Sequence, residues 1–274
     1  MKSVNGDDIL YRFMSELIES NDEVAEEVVA ALVRSTSIWF PTSLYSQIPV
    51  LLPWVVRDPS CRPKVQNGQK TAEEWSSPNE GGYLRDDNSL VKAIQRSLVI
   101  SGGSKHLADQ KLGRGWVACH IWRQIKHPEL ATRHPRTNSF IPNLVWLPRQ
   151  LAKLSDRENG PVQVALQRAS WGIYRQTKVR DELDSLTEEI WSLIPEPDEW
   201  DALEPSAVHL FDCSERFVAS RRKSLVEVIG YLGSLLEDSE PKAASRLPSR
   251  YRDGLALTDR KAIELLHAEL LQYA

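Results

Sequence analysis

Trp116-Val117-Ala118-Cys119-His120-Ile121-Trp122 and Phe140-Ile141-Pro142-Asn143-Leu144-Val145-Trp146-Leu147 are the two stretches on which the reading of this chain turns. Both are short, apolar and rich in β-branched and aromatic residues, the signature of short strands. Gly113-Arg114-Gly115 opens the first, and a polar, basic loop reaching to Asn138 separates it from the second. Pro142-Asn143 interrupts the second run near its start. Pro148 then stands where a proline suits the first turn of a helix, and Leu151 and Leu154 carry an apolar face as far as Asp156. The order over residues 113–157 is strand, loop, strand, helix.

Outside this unit the periodicity is mostly helical. Ile9, Leu10, Phe13 and Leu17 predict one helix, and Val24, Val28, Ala31 and Leu32 a second, capped by Asn21 or Asp22. Prolines from Pro41 to Pro63 predict short turns that bring Trp39 and Trp54 into a core, and residues 58–82 read as a surface loop. Asp87 or Asn88 is expected to cap a helix running to about Ile100. Everything after Gly160 reads as helix: Pro161 to about Leu186, Ser214 to Glu237, and a last helix capped by Thr258. The expected fold is α+β and predominantly α-helical. A small ββα unit (113–157) is embedded between an N-terminal helical portion (1–112) and a C-terminal helical portion (158–274). So small a unit cannot bury a core of its own, so the flanking helices must supply it.

Charge is unevenly distributed. Nine basic residues lie between Lys105 and Lys153 against only Asp109 and Glu129, a balance of +7 in a chain whose total is −4. Four of the six histidines (His106, His120, His127 and His134) fall in the same stretch. A basic island in an acidic chain is an electrostatic footprint for a polyanion, although a solvated basic face accounts for it equally well on charge alone. The polar N-terminus argues against a secretory signal, and no apolar run is long enough to span a membrane. Three widely spaced cysteines fit reduced thiols, so a cytoplasmic protein is expected. The acidic pair in Gly81-Gly82-Tyr83-Leu84-Arg85-Asp86-Asp87-Asn88 is better explained by helix capping than by a cation, and Arg221-Arg222-Lys223 by a solvated helix face.

Ala118-Cys119-His120-Ile121 and Pro142-Asn143-Leu144-Val145-Trp146-Leu147-Pro148, followed by a helix, resemble the HNH, or His-metal-finger, nuclease motif. The resemblance covers about 40 residues of the chain. It implies that His120 is the general base that activates water and that Asn143 orients the imidazole. It also implies that a residue on the following helix helps to hold one Mg²⁺ or Mn²⁺ ion. Two positions depart from the pattern. Cys119 stands where an acid or a second histidine often precedes the base, and Leu151 and Ala152 stand where the helix ligand is expected. Gln150, one position early, and Asp156, one turn later, are the candidate metal ligands, Asp156 being chemically the better. Arg114, Arg123, Lys126, Arg133, Arg136 and Arg149 are the candidate phosphate contacts.

The resemblance therefore implies a metal-dependent DNA endonuclease of the restriction or phage-defence kind, with DNA as partner and a homodimer as the form that cuts both strands. The alternative is a non-catalytic nucleic-acid-binding or protein-interaction module built on a degenerate finger.

Overall fold

The computed structural model describes residues 16, 23–61, 65–66, 69–70, 75–101, 107–126, 129–200, 208–240 and 244–274. The helix expected around Ile9–Leu17, together with Lys105, His106 and His127, lies outside the described residues. The N-terminal elements are α1 (Glu23–Thr36), β1 (Ile38–Trp39), α2 (Thr42–Tyr45), β2 (Val55–Arg57), β3 (Val65–Gln66), β4 (Gln69–Lys70), β5 (Leu84–Asp86), α3 (Ser89–Ile94) and β6 (Ile100–Ser101). The strand–loop–strand–helix unit follows as β7 (Trp116–His120), α4 (Pro135–Asn138), β8 (Leu144–Pro148) and α5 (Arg149–Ser155). The remainder is α6 (Pro161–Tyr174), α7 (Asp181–Leu193), β9 (His209–Phe211), α8 (Glu215–Leu236), α9 (Ser249–Leu255) and α10 (Arg260–Leu271). The fold is α+β.

The two strands read from the sequence pair antiparallel, with His120 opposite Leu144 and Trp116 opposite Pro148. They are not an isolated finger. They form one side of a five-stranded mixed sheet in the order β6-β9-β1-β8-β7, in which β1 and β9 are the parallel pair. Strands from all three portions of the chain therefore share one sheet, which supplies the core that so small a unit cannot build for itself. Trp39, Trp122 and Trp146 are fully buried, as are Phe40, Phe140 and Phe211. Trp146 meets Phe40 edge-on at 5.2 Å and Phe211 at 5.1 Å. Trp39 and Trp54 are buried as expected.

Several boundaries differ from the sequence reading. The helix expected to reach Ile100 ends at Ile94 and passes through a 3-10 turn, Gln95–Ser97, into β6. Its capping group is neither Asp87 nor Asn88. The buried Asp86 carboxylate accepts hydrogen bonds from Leu90 N–H, the Ser89 hydroxyl and Trp75 Nε1, while Asn88 takes a left-handed backbone conformation (φ 65°) with no side-chain cap. The helix expected over 161–186 is two, broken after Tyr174, with Asp181, Glu182 and Asp184 gathered in the first turn of α7. Three carboxylates suit a new helix N-terminus better than a helix interior. Asp259, not Thr258, caps α10 through Lys261 N–H and Ala262 N–H. The region after Gly160 is not all helix: β9 completes the sheet. Within 58–82, β3 and β4 form a small antiparallel pair. Among the described residues no helix is long and apolar enough to cross a membrane.

Candidate functional site

His120 is the last residue of β7, at the point where the chain leaves the sheet. The next two residues, Ile121 and Trp122, are buried. The Trp122 indole donates to Pro195 O at 3.0 Å and packs edge-on against Trp191, so the exit from the strand is anchored to α7 and its end. From α6, the buried Gln163 donates its Nε2 to Ile121 O at 3.2 Å. The strand end carrying His120 is thereby held from α6 and from the end of α7.

Asn143 is fully buried and uses its whole amide. Its Oδ1 accepts from Ile121 N–H at 3.0 Å and Trp122 N–H at 2.8 Å, and its Nδ2 donates to Thr137 O at 2.9 Å. Next to Thr137, Asn138 presents its backbone carbonyl to His120 Nε2 at 2.9 Å. A carbonyl oxygen has no proton to give, so Nε2 must carry the hydrogen. In the neutral ring the lone pair is then on Nδ1. Burial pushes the imidazole pKa down to about 4. The Asn138 carbonyl opposes that shift, while Arg57 and Lys92 reinforce it. The ring is only partly exposed, and it is neutral at physiological pH.

His120 lines a cleft of about 590 Å³. Among the described residues six cationic side chains line it too, Arg57, Lys92, Arg123, Arg133, Arg149 and Lys153, against one carboxylate, Asp156. Of the phosphate contacts read from the sequence, Arg123, Arg133 and Arg149 are therefore gathered at the cleft. Arg123 also ties the cleft's two sides, donating from Nη1 to Asp156 O at 2.9 Å. Arg114 and Lys126 are exposed but do not line the cleft. Arg136 is placed elsewhere, with its guanidinium held between Glu189 and Glu269. Arg57, Lys92 and Lys153 complete the set. Arg57 comes from β2 and Lys92 from α3, distant in sequence, so spacing carried no sign of them.

Asp156, at the end of α5, lies in the cleft with His120, whereas Gln150 does not line it. Leu151 and Ala152 are buried in the helix. Cys119 is buried as well, and burial holds its thiol protonated by pushing its pKa up to about 12. Among the described residues no three His, Cys, Asp or Glu side chains converge on one point. Asn88 also lines the cleft, and its buried Oδ1 has no hydrogen-bond partner. One carboxylate and one amide oxygen are fewer oxygen donors than a Mg²⁺ ion takes, so the remainder would have to come from water or a phosphate. Six neighbouring cations oppose such an ion until a polyanion is present.

No family model, curated protein or solved structure matches the chain. The chemistry of the cleft is therefore the basis for a functional assignment.

Proposed function

We propose that the chain is a DNA endonuclease that hydrolyses phosphodiester bonds at the His120 cleft. One observation supports this reading: a neutral imidazole shares a cleft with six cationic side chains among the described residues. His120 Nδ1 takes a proton from the attacking water as the water oxygen bonds to phosphorus. The bond to the leaving oxygen breaks on the far side, and that oxygen is protonated from solvent. Arg57, Lys92, Arg123, Arg133, Arg149 and Lys153 hold the backbone and offset charge that develops on the phosphate oxygens. Asp156, with Asn88, would hold Mg²⁺ or Mn²⁺ once DNA is bound, and the ion would add positive charge at the phosphate. DNA is the proposed partner, with a homodimer to cut both strands, in a restriction or phage-defence role in the cytoplasm.

A second reading is binding without cleavage, favoured by the apolar Leu151 and Ala152 where the resemblance calls for a helix ligand. Incubation of plasmid and phage DNA, modified and unmodified, with Mg²⁺ or Mn²⁺ separates the two. Metal-dependent cutting by the native chain that disappears in His120→Ala supports the nuclease. Salt-dependent DNA binding with no cutting by either protein supports the binding module. Absence of binding at low salt overturns both.

A further inference from the structure

Helix α3 separates two recesses. Lys92 faces the His120 cleft, while Leu90, Ala93 and Ile94 line a second, larger groove of about 900 Å³. The two recesses share no lining residue, so a ligand of the second groove does not depend on nuclease activity in the first.

Arg221 is the unusual member of this second groove. Its neighbours Arg222 and Lys223 are exposed, as the sequence suggests for a solvated helix face, but Arg221 is turned inward. Its guanidinium lies 5.8 Å from the centre of the Phe217 ring, and its Nε is buried without a hydrogen-bond partner. Burial lowers its pKa, and the neighbouring Arg246 lowers it further. Arg246 already has a counter-charge in Glu227 and donates from Nη1 to Ser220 O at 2.8 Å. Arg221 has no such ion pair among the described residues. Among the described residues Asp212 is the one carboxylate that lines the groove, and it is exposed. Exposed Arg96 and Arg216 add to the positive side.

A half-buried guanidinium with no carboxylate paired to it among the described residues offers a planar, two-pronged donor to an oxyanion, and the neighbouring Arg246 adds positive charge although its Nε and Nη1 are engaged. Leu52, Trp54, Ile94 and Leu247 give the groove apolar walls, beside the hydroxyls of Ser97, Ser214, Ser220 and Ser224. We propose that this groove binds a small molecule with an oxyanion head, phosphate or carboxylate, and an apolar body. Arg221 and Arg246 take the head, and the apolar walls take the body.

Calorimetric titration of the full chain with naphthyl phosphate, decanoate and inorganic phosphate tests this. At least one of the two probes with an apolar body is expected to bind about tenfold more tightly than inorganic phosphate. The probe that binds identifies the head group. Arg221→Met is expected to weaken binding by about tenfold or more, and Arg216→Gln, on the exposed rim, by no more than about threefold. If Arg221→Met does not fold, Arg221→Lys takes its place, since it keeps the charge and loses the fork; a several-fold loss is then expected. Failure of both apolar probes to bind at millimolar concentration overturns the proposal. So does unchanged affinity in the Arg221 variant.

Discussion

Asn143 makes no hydrogen bond to the His120 imidazole, yet it holds that imidazole on both sides. Through Ile121 N–H and Trp122 N–H it fixes the strand end that carries His120. Through Thr137 O it fixes the short helix whose Asn138 carbonyl accepts from Nε2. Asn143→Ala leaves the buried Trp122 N–H and the Thr137 carbonyl without their partner, while Ile121 N–H keeps the Asn143 backbone carbonyl at 3.1 Å. The expected loss is about 2–4 kcal/mol, measured by urea unfolding. A loss below about 1 kcal/mol would show that water or a backbone shift replaces the amide.

His120 makes stability depend on pH in a defined window. Its folded pKa, about 4, lies below the ordinary value of 6.5 that applies in the unfolded chain. Above pH 6.5 the ring is neutral in both states and contributes nothing. Between pH 6.5 and pH 4 the unfolded chain takes a proton that the folded protein refuses, so stability falls as the solution is acidified. The full shift corresponds to about 3 kcal/mol at most, and less in practice because the ring is partly exposed. His120→Gln keeps a side-chain donor for the Asn138 carbonyl and removes the titration. Unfolding measured at pH 7.5 and pH 4.5 is expected to fall less in the variant than in the native chain. Equal falls would show that His120 does not carry the effect.

The same shift sets the pH profile of the proposed reaction. A general base that is already neutral needs no rise through pH 6.5 to become active. The value of kcat/KM on a short duplex is expected to stay flat from pH 8 down to about pH 5.5 and to drop toward pH 4. A half-maximal point near pH 6.5 would assign the base to a histidine in an ordinary environment, and not to His120.

The strand–loop–strand–helix unit was legible because its signals are local. Short apolar runs rich in β-branched and aromatic residues marked β7 and β8, Pro148 marked the turn into α5, and one Asn and one His stood at the strand ends. What it packs against was not legible. The two-residue β1 and three-residue β9 are too short for periodicity, and their pairing is fixed by tertiary packing around Trp146 and Phe211. The site divides in the same way. His120, Asp156 and three arginines sit in one cleft because they lie on or beside one local unit. Arg57 and Lys92 reach it only through the fold, and the charge of Arg136 is spent on Glu189 and Glu269, which its position in a basic loop could not reveal.

That division gives a test of which basic residues meet DNA. Arg133 and Arg149 line the cleft, so Arg133→Gln and Arg149→Gln are each expected to weaken binding. Each should also reduce the slope of log affinity against log salt by about 0.9, the value for one lost phosphate contact. Arg136→Gln is expected to leave the slope unchanged and to cost about 0.5–1 kcal/mol of stability through its lost ion pairs. Binding without metal, measured between about 50 and 200 mM salt, separates the classes. An equal slope change in Arg136→Gln would mean that Glu189 and Glu269 release the guanidinium to the DNA.

Arg221 and Arg246 face the same groove but should respond oppositely to neutralisation in the ligand-free protein. Arg246 is paired with Glu227 and donates to Ser220 and Ser224, so Arg246→Met removes the counter-charge of Glu227, which keeps the backbone N–H of residue 246, and leaves the Ser220 and Ser224 acceptors without that donor. Arg221 has no carboxylate partner among the described residues, and its burial next to a second cation opposes folding. Arg221→Met removes that cost and keeps most of the packing against Phe217, forfeiting a cation–π contact of about 0.5–1 kcal/mol. The net expectation is stabilisation of about 1 kcal/mol, a rise of roughly 2–4 °C in Tm, against a fall for Arg246→Met. A fall in both variants would show that the guanidinium of Arg221 is satisfied in solution. A rise confined to Arg221→Met is what a position kept for binding at the expense of stability should give.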